Sequence, residues 1–189
     1  MRLYLIRHPQ PAVAPGTCYG ATDLALADDP AIHAAALRPL LPEAAPLFSS
    51  PLVRARRLAE QLHPAPVFDD RLREIDFGAW EMQAWDALDR RLLDAWAADP
   101  FHFVPPGGEA VASLRARVAH FLAELPQHDE GAVLVAHAGV IKVCAAELAG
   151  EEDWFSLRFD YGKLSLIEDG RFVWRNRPPP FAPLAGGSS

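Results

Sequence analysis

Two cysteines, Cys18 and Cys144, are all that this chain of 189 residues contains. That scarcity excludes a disulfide framework, no CxxC spacing suggests redox or zinc chemistry, and reduced thiols fit a cytosolic setting. Apolar runs are short: Met1 to Ile6 cannot form a signal-peptide core, and nothing later approaches the roughly 18 apolar residues of a membrane span. The seven histidines show neither HxH nor HExxH spacing, so no metal site is indicated. Basic residues are also too few for a nucleic-acid binder, since the net charge is -7 and the pI is near 5.4. A soluble cytoplasmic protein without a metal, membrane or nucleic-acid partner is expected, and an anionic ligand would have to be held by locally placed cations. A homodimer is left open.

With half its residues apolar, the chain suits one compact domain over 1–177. The proline- and glycine-rich stretch 178–189, PPPFAPLAGGSS, reads as a tail. Arg2 to Ile6 and Ala132 to Ala136 read as buried strands, and Leu47 to Ser49 as a third. Helical patterns cover Pro30 to Leu41, Leu52 to Leu62, Ala84 to Ala98, Ala110 to Leu125 and Val140 to Ala149. Alternating strands and helices give an α/β fold: a three-layer sandwich, mostly parallel sheet, helices on both faces. Asp169-Gly170, between Lys163–Glu168 and Arg171–Arg175, predicts a two-residue hairpin that adds an antiparallel edge.

The chemistry gathers where strands end. The first strand runs into Arg7-His8 and the Ala132 to Ala136 strand into His137-Ala138-Gly139, and open α/β sheets bind ligands at that edge. After the Leu47 to Ser49 strand, Ser50-Pro51-Leu52-Val53-Arg54 reads as an N-cap serine, a proline at the first helical position and an arginine one turn in. Such a helix start predicts an anion site served by free N–H groups and a bidentate Arg54 fork. Two histidines and two arginines suit a phosphate. His8, as neutral imidazole, is a competent nucleophile, and Arg7, Arg54 and a protonated His137 would neutralise the transferred group. A carboxyl group must also exchange a proton with the leaving alcohol and the attacking water, and Leu72 to Glu81 offers Glu74, Asp76 and Glu81.

LIRH at the amino end, CYGATDLAL from Cys18, SSPLVRA from Ser49, LREIDFGAWE from Leu72, PPGGE from Pro105 and HAGVIK from His137 follow one another in order. Together they resemble the histidine phosphatases over about Arg2 to Leu166, the superfamily that includes the cofactor-dependent phosphoglycerate mutases. The resemblance implies a phosphoglycerate mutase-like fold and a metal-independent, cofactor-free phosphomonoesterase acting on a small-molecule phosphate ester. It implies His8 as the phosphorylated nucleophile, Arg7, Arg54 and His137 as the phosphate pocket, and Glu74 as proton donor and acceptor. Tyr19, Gly20, Thr22 and Asp23 would border the substrate, with Gly139 beside them. CYGATDLAL and the GGE element are closest to the α-ribazole phosphatase branch, which points to α-ribazole 5'-phosphate and cobalamin biosynthesis.

One departure from the family pattern is His8-Pro9-Gln10-Pro11, where a glycine usually follows the nucleophile. Pro9 stiffens the loop and removes an N–H donor. Two other readings stand beside the leading one: a phosphohistidine protein phosphatase and, motivated by Pro9 and by polar residues missing from this loop, a catalytically weak phosphate-binding protein. Asp76 competes with Glu74 for the proton role. Glu81 reads as a helix-start carboxylate, Glu109 as a first-turn carboxylate or a contact of His137, and Thr22-Asp23 as a turn. Trp80, Trp85, Trp96, Phe101 and Phe103 read as core packing or as an apolar lid over a bulky leaving group.

Overall fold

Apolar runs placed early, centrally and late in the sequence meet in one six-stranded sheet. The computed structural model describes residues 1–177; the stretch 178–189, expected to be a tail, lies outside the described residues. The strands are β1 (Arg2–Arg7), β2 (Leu47–Ser49), β3 (Val67–Phe68), β4 (Ala132–Ala136), β5 (Leu164–Glu168) and β6 (Arg171–Arg177), arranged β3-β2-β4-β1-β5-β6. The first four are mutually parallel, β4 is buried throughout, and β5 and β6 add the antiparallel edge. The turn between these last two uses Asp169 and Gly170, both at positive φ as a tight two-residue hairpin requires.

Alternation along the strands sends side chains to two faces. Leu3 and Leu5 of β1 pack with Leu134 of β4 against α4 (Val111–Ala123) and α5 (Ala138–Ala149). Ile6, Val133 and Val135 pack on the other face against α1 (Pro30–Leu37) and α2 (Val53–Leu62). The result is the expected three-layer sandwich. A smaller cluster of Cys18, Trp80 and Leu88, with Phe77, Trp85, Trp96 and Phe103 around it, supports α3 (Arg90–Ala98). Among the described residues, no helix is long and apolar enough to cross a membrane. Burial pushes the thiols of Cys18 and Cys144 up to about 12.

Several helix ends differ from the sequence pattern, each for a local reason. The first helix stops at Leu37 and tightens into a 3-10 turn over Arg38–Leu40, because Pro39 has no N–H to continue the ladder. The pattern from Ala84 breaks into a 3-10 turn, Trp85–Ala87, before α3 begins. Asp89 restarts the helix by accepting from the Arg91 N–H at 2.8 Å. The helix expected from Leu52 starts at Val53, and the one expected from Val140 starts at Ala138 with His137 as its N-cap. β3, only two residues long, carries too little pattern to be read from sequence.

Candidate active site

His8 sits at the floor of a cleft and is 1% exposed. Its N–H donates to the Ala136 carbonyl at 3.0 Å, and the Gly162 N–H donates to the carbonyls of Arg7 and His8, so backbone on both sides fixes where β1 ends. The His8 Nδ1 lies 2.6 Å from the Pro9 carbonyl. A carbonyl can only accept, so the ring proton resides on Nδ1 and Nε2 carries the lone pair. Arg54 Nε donates toward that Nε2 at 3.3 Å. Burial, then the Arg54 charge, hold His8 well below its ordinary 6.5. The ring is neutral, with Nδ1 committed to the Pro9 carbonyl and the Nε2 lone pair turned to Arg54.

Arg54 is fully buried, and its donors are more committed than a free fork would be. Nη1 donates to the Thr22 carbonyl at 2.7 Å and Nη2 to the Gly20 carbonyl at 2.5 Å. Burial lowers the Arg54 pKa, with Glu74 and other acids opposing it; the guanidinium remains a fixed cation beside His8. The expected anion site at the start of α2 is also different. Val53 N–H donates at 2.7 Å to the Asp23 carboxylate, so Asp23 takes the place of an external anion, and Ser50 lies outside the helix. The Ser50 hydroxyl instead reaches His137 Nε2 at 2.8 Å while accepting from the Leu52 N–H. When Ser50 donates its own hydrogen to Nε2, the His137 proton sits on Nδ1.

Arg7 stacks under Tyr161, its guanidinium carbon 3.7 Å from the ring centroid, and Nη1 donates to the Phe159 carbonyl at 2.6 Å. Tyr161 in turn shares a hydroxyl hydrogen bond with Tyr19. Burial, followed by that bond, raises the Tyr19 pKa above its ordinary value, so the phenol is protonated. Among the described residues, two buried side-chain nitrogens have no hydrogen-bond partner: Arg7 Nε and His137 Nδ1. Both belong to residues beside His8, and buried donors are rarely left unpaired in a place without a polar ligand. His137 is held well below 6.5 by burial, then by Arg54, His8 and Arg7. Burial thus disfavours the imidazolium expected for His137 from sequence.

Glu74 lines the cleft. Its Oε2 accepts from the Gly139 N–H at 3.1 Å, at the first turn of α5. A Cβ on Gly139 would come within 2.3 Å of Glu74 Oε1, so the glycine makes room for the acid. Asp76 turns away and accepts from the Gly78 N–H at 2.7 Å. Glu109 pairs with Arg117 and contacts the Asp76 N–H, not His137. Glu81 is no helix-start carboxylate: it accepts from the N–H groups of Ala21, Thr22 and Phe77 and from the Thr22 hydroxyl. Burial pushes its carboxyl up, but these hydrogen bonds outweigh burial and hold it below its ordinary value.

The cleft measures about 420 Å³. Of the residues singled out in the sequence, Arg7, His8, Tyr19 and Glu74 line it, while Arg54 and His137 lie buried beside His8. Gly20, Thr22, Asp23 and Gly139 serve as framework: two carbonyls for Arg54, a helix cap, and an N–H for Glu74. Sequence reasoning missed Tyr161, Gln10 and the Pro15–Thr17 loop, all of which border the cleft. Tyr161 could have been found by pairing β5 antiparallel to β1, which puts residues just before β5 beside Arg7. Trp85 faces the cleft and Trp80 is buried, so the aromatic stretch is core in one part and wall in another. A larger cavity of about 700 Å³, between α1, the end of α2 and the starts of β2 and β4, is lined by residues such as Leu41, Leu47, Leu62 and Val133. None of the catalytic candidates borders it.

Comparison with known proteins bears on this geometry. A model of the histidine phosphatase superfamily (branch 1) matches residues 3–176. The adenosylcobalamin/alpha-ribazole phosphatase of Escherichia coli K12 is 32% identical over 118 residues, covering 59% of this chain and 58% of the relative. "Putative phosphoserine phosphatase 2" of Hydrogenobacter thermophilus is 30% identical over 93% of this chain and 95% of its own. A solved E. coli structure, described as a "putative alpha-ribazole-5'-P phosphatase", superposes with a TM-score of 0.80 at 28% identity, covering 94% of this chain and 96% of that one.

Proposed function

The chain belongs to the histidine phosphatase superfamily, branch 1, and from that membership we propose that it hydrolyses a small phosphate monoester through a phosphohistidine at His8. The observation that carries the reading is the fixed tautomer of His8, whose Nδ1 is committed to the Pro9 carbonyl while Nε2 faces the Arg54 cation. In the first step Nε2 attacks phosphorus, the ester P–O bond breaks, and the alcohol oxygen leaves with its electron pair and takes a proton from Glu74. In the second step Glu74 accepts a proton from water, water attacks phosphorus, and the P–N bond returns its electrons to His8. Arg7, Arg54 and the Nδ1–H of His137 stabilise charge on the equatorial oxygens.

The two named relatives point to different alcohols. Phosphoserine would bring an ammonium and a carboxylate, yet the charged side chains lining the cleft are Arg7 and Glu74, both engaged in chemistry. The remaining wall, with Trp85, Tyr19, Tyr161, Pro11, Val13 and Pro15, favours an uncharged, ring-bearing leaving group such as α-ribazole. Phosphate release should therefore be faster from α-ribazole 5'-phosphate than from O-phosphoserine, should persist in chelator, and should vanish in His8→Ala. Preference for phosphoserine would overturn the leaving-group reading, and turnover by His8→Ala would overturn the mechanism.

A further inference from the structure

Glu74 lies between two 3-10 turns, Asp70–Leu72 and Gly78–Trp80, and so has no helix or strand of its own to hold it. A proton donor must nonetheless be positioned closely, because a misplacement of about 1 Å can cost about a hundredfold in rate. The segment is tied down by one side chain from α4. Arg117 Nη1 donates to the carbonyls of Arg71 and Arg73, both at 2.7 Å, and Nη2 donates to the Glu74 carbonyl at 3.2 Å. Glu109 seats the same guanidinium, with Oε1 2.5 Å from Nη2 and Oε2 3.3 Å from Nε. Glu109 also reaches past it: Oε1 accepts from the Asp76 N–H at 3.2 Å, and the Glu109 N–H donates to the Asp76 carbonyl at 2.8 Å.

Three carbonyls in four residues and both oxygens of Glu109 take five donors from one guanidinium, which an arginine fork has and a lysine, with three, does not. Arg117 itself is anchored, since α4 buries Leu114 and Val118 against α5. The first turn of α5 holds the other end of Glu74 through the Gly139 N–H. Backbone and carboxylate of the acid are thus both referenced to the same pair of packed helices.

We propose that Arg117, seated by Glu109, is a positioning residue for proton transfer by Glu74. The inference rests on the reading of Glu74 as the acid, and the test separates the two. Single-turnover release of the leaving group, with enzyme in excess, reads phosphohistidine formation alone. An alkyl ester such as ribose 5-phosphate needs its oxygen protonated, whereas 2,4-dinitrophenyl phosphate does not. Arg117→Lys and Glu109→Gln should slow alkyl ester release by about tenfold to a hundredfold and leave dinitrophenolate release unchanged. Glu74→Gln should show the same selectivity. Equal losses for both esters in Arg117→Lys and Glu109→Gln, with Glu74→Gln selective, would overturn the positioning role alone. Loss of selectivity in Glu74→Gln would overturn the acid assignment beneath it. Should Arg117→Lys fail to fold, Glu109→Gln carries the test, and failure of both to fold would assign the pair to stability and overturn the proposal.

Discussion

Replacing Glu81 by glutamine keeps the shape of the side chain and removes one of its two acceptors. In the native carboxylate, Oε1 accepts from Ala21 N–H at 2.8 Å and Phe77 N–H at 3.0 Å, while Oε2 accepts from Thr22 N–H at 2.6 Å and from the Thr22 hydroxyl. The glutamine carbonyl can serve the first pair. Its NH2 then faces the Thr22 N–H, and although the hydroxyl can rotate to accept, the backbone donor cannot. One stranded N–H costs roughly 1–3 kcal/mol, and the surviving bonds lose their charge assistance, so the total should be about 2–4 kcal/mol. For a chain of this size that lowers Tm by about 5–15 °C. Activity should fall as well, because the segment that Glu81 clamps supplies the Gly20 and Thr22 carbonyls that hold Arg54. Calorimetric melting and kcat/KM on one ester measure both effects. A Tm within about 2 °C of the parent, with activity unchanged, would show that the segment is held by something other than Glu81.

Gly139→Ala separates function from stability. The new Cβ meets Glu74 Oε1 at 2.3 Å and Leu114 Cδ2 at 3.1 Å, both far ends of side chains that can shift, so melting should change little while alkyl ester turnover falls by about tenfold or more; an unchanged turnover would refute the reasoning. Stability should also depend on pH through the two buried histidines. His8 and His137 are held well below 6.5 by burial first and by the Arg54 charge second. The unfolded chain protonates them below 6.5 while the folded one does not, so stability is full above that pH and falls as pH drops. The slope is about 1.4 kcal/mol per pH unit for each histidine, and urea titrations between pH 7 and 5 read it. A flat profile would mean that the two imidazoles titrate in the fold as they do in the unfolded chain.

Much of this molecule was legible in its sequence because the relevant signals are local. β4 reads as AVLVA because both of its faces are covered, and Asp169-Gly170 reads as a hairpin because both residues must take positive φ. His8 and His137 could be placed at one edge of the sheet because parallel strands end on the same side. Other features depend on pairings between segments distant in sequence. Asp23 caps a helix thirty residues away, Glu81 reaches back to Thr22, and Arg117 reads only as a helix arginine until the carbonyls of Arg71, Arg73 and Glu74 are brought to it. Arg54 looked like a free fork for the same reason, since two of its partners are carbonyls that no residue type announces. The Ser50 reading failed on a local ambiguity: Ser-Pro before a helical pattern marks a cap, but the helix begins only after Leu52 and the serine goes to His137.

The depth of His8 has a kinetic corollary. With the ring 1% exposed at the floor of the cleft, the proposed mechanism gives the departing alcohol and the arriving water one passage. On that mechanism, the phosphoryl group can return to the alcohol until it clears the passage. The enzyme would then partition between hydrolysis and exchange: added alcohols that fit against Trp85 should capture phosphate, and the free alcohol product should slow net release by competing for the phosphorylated form.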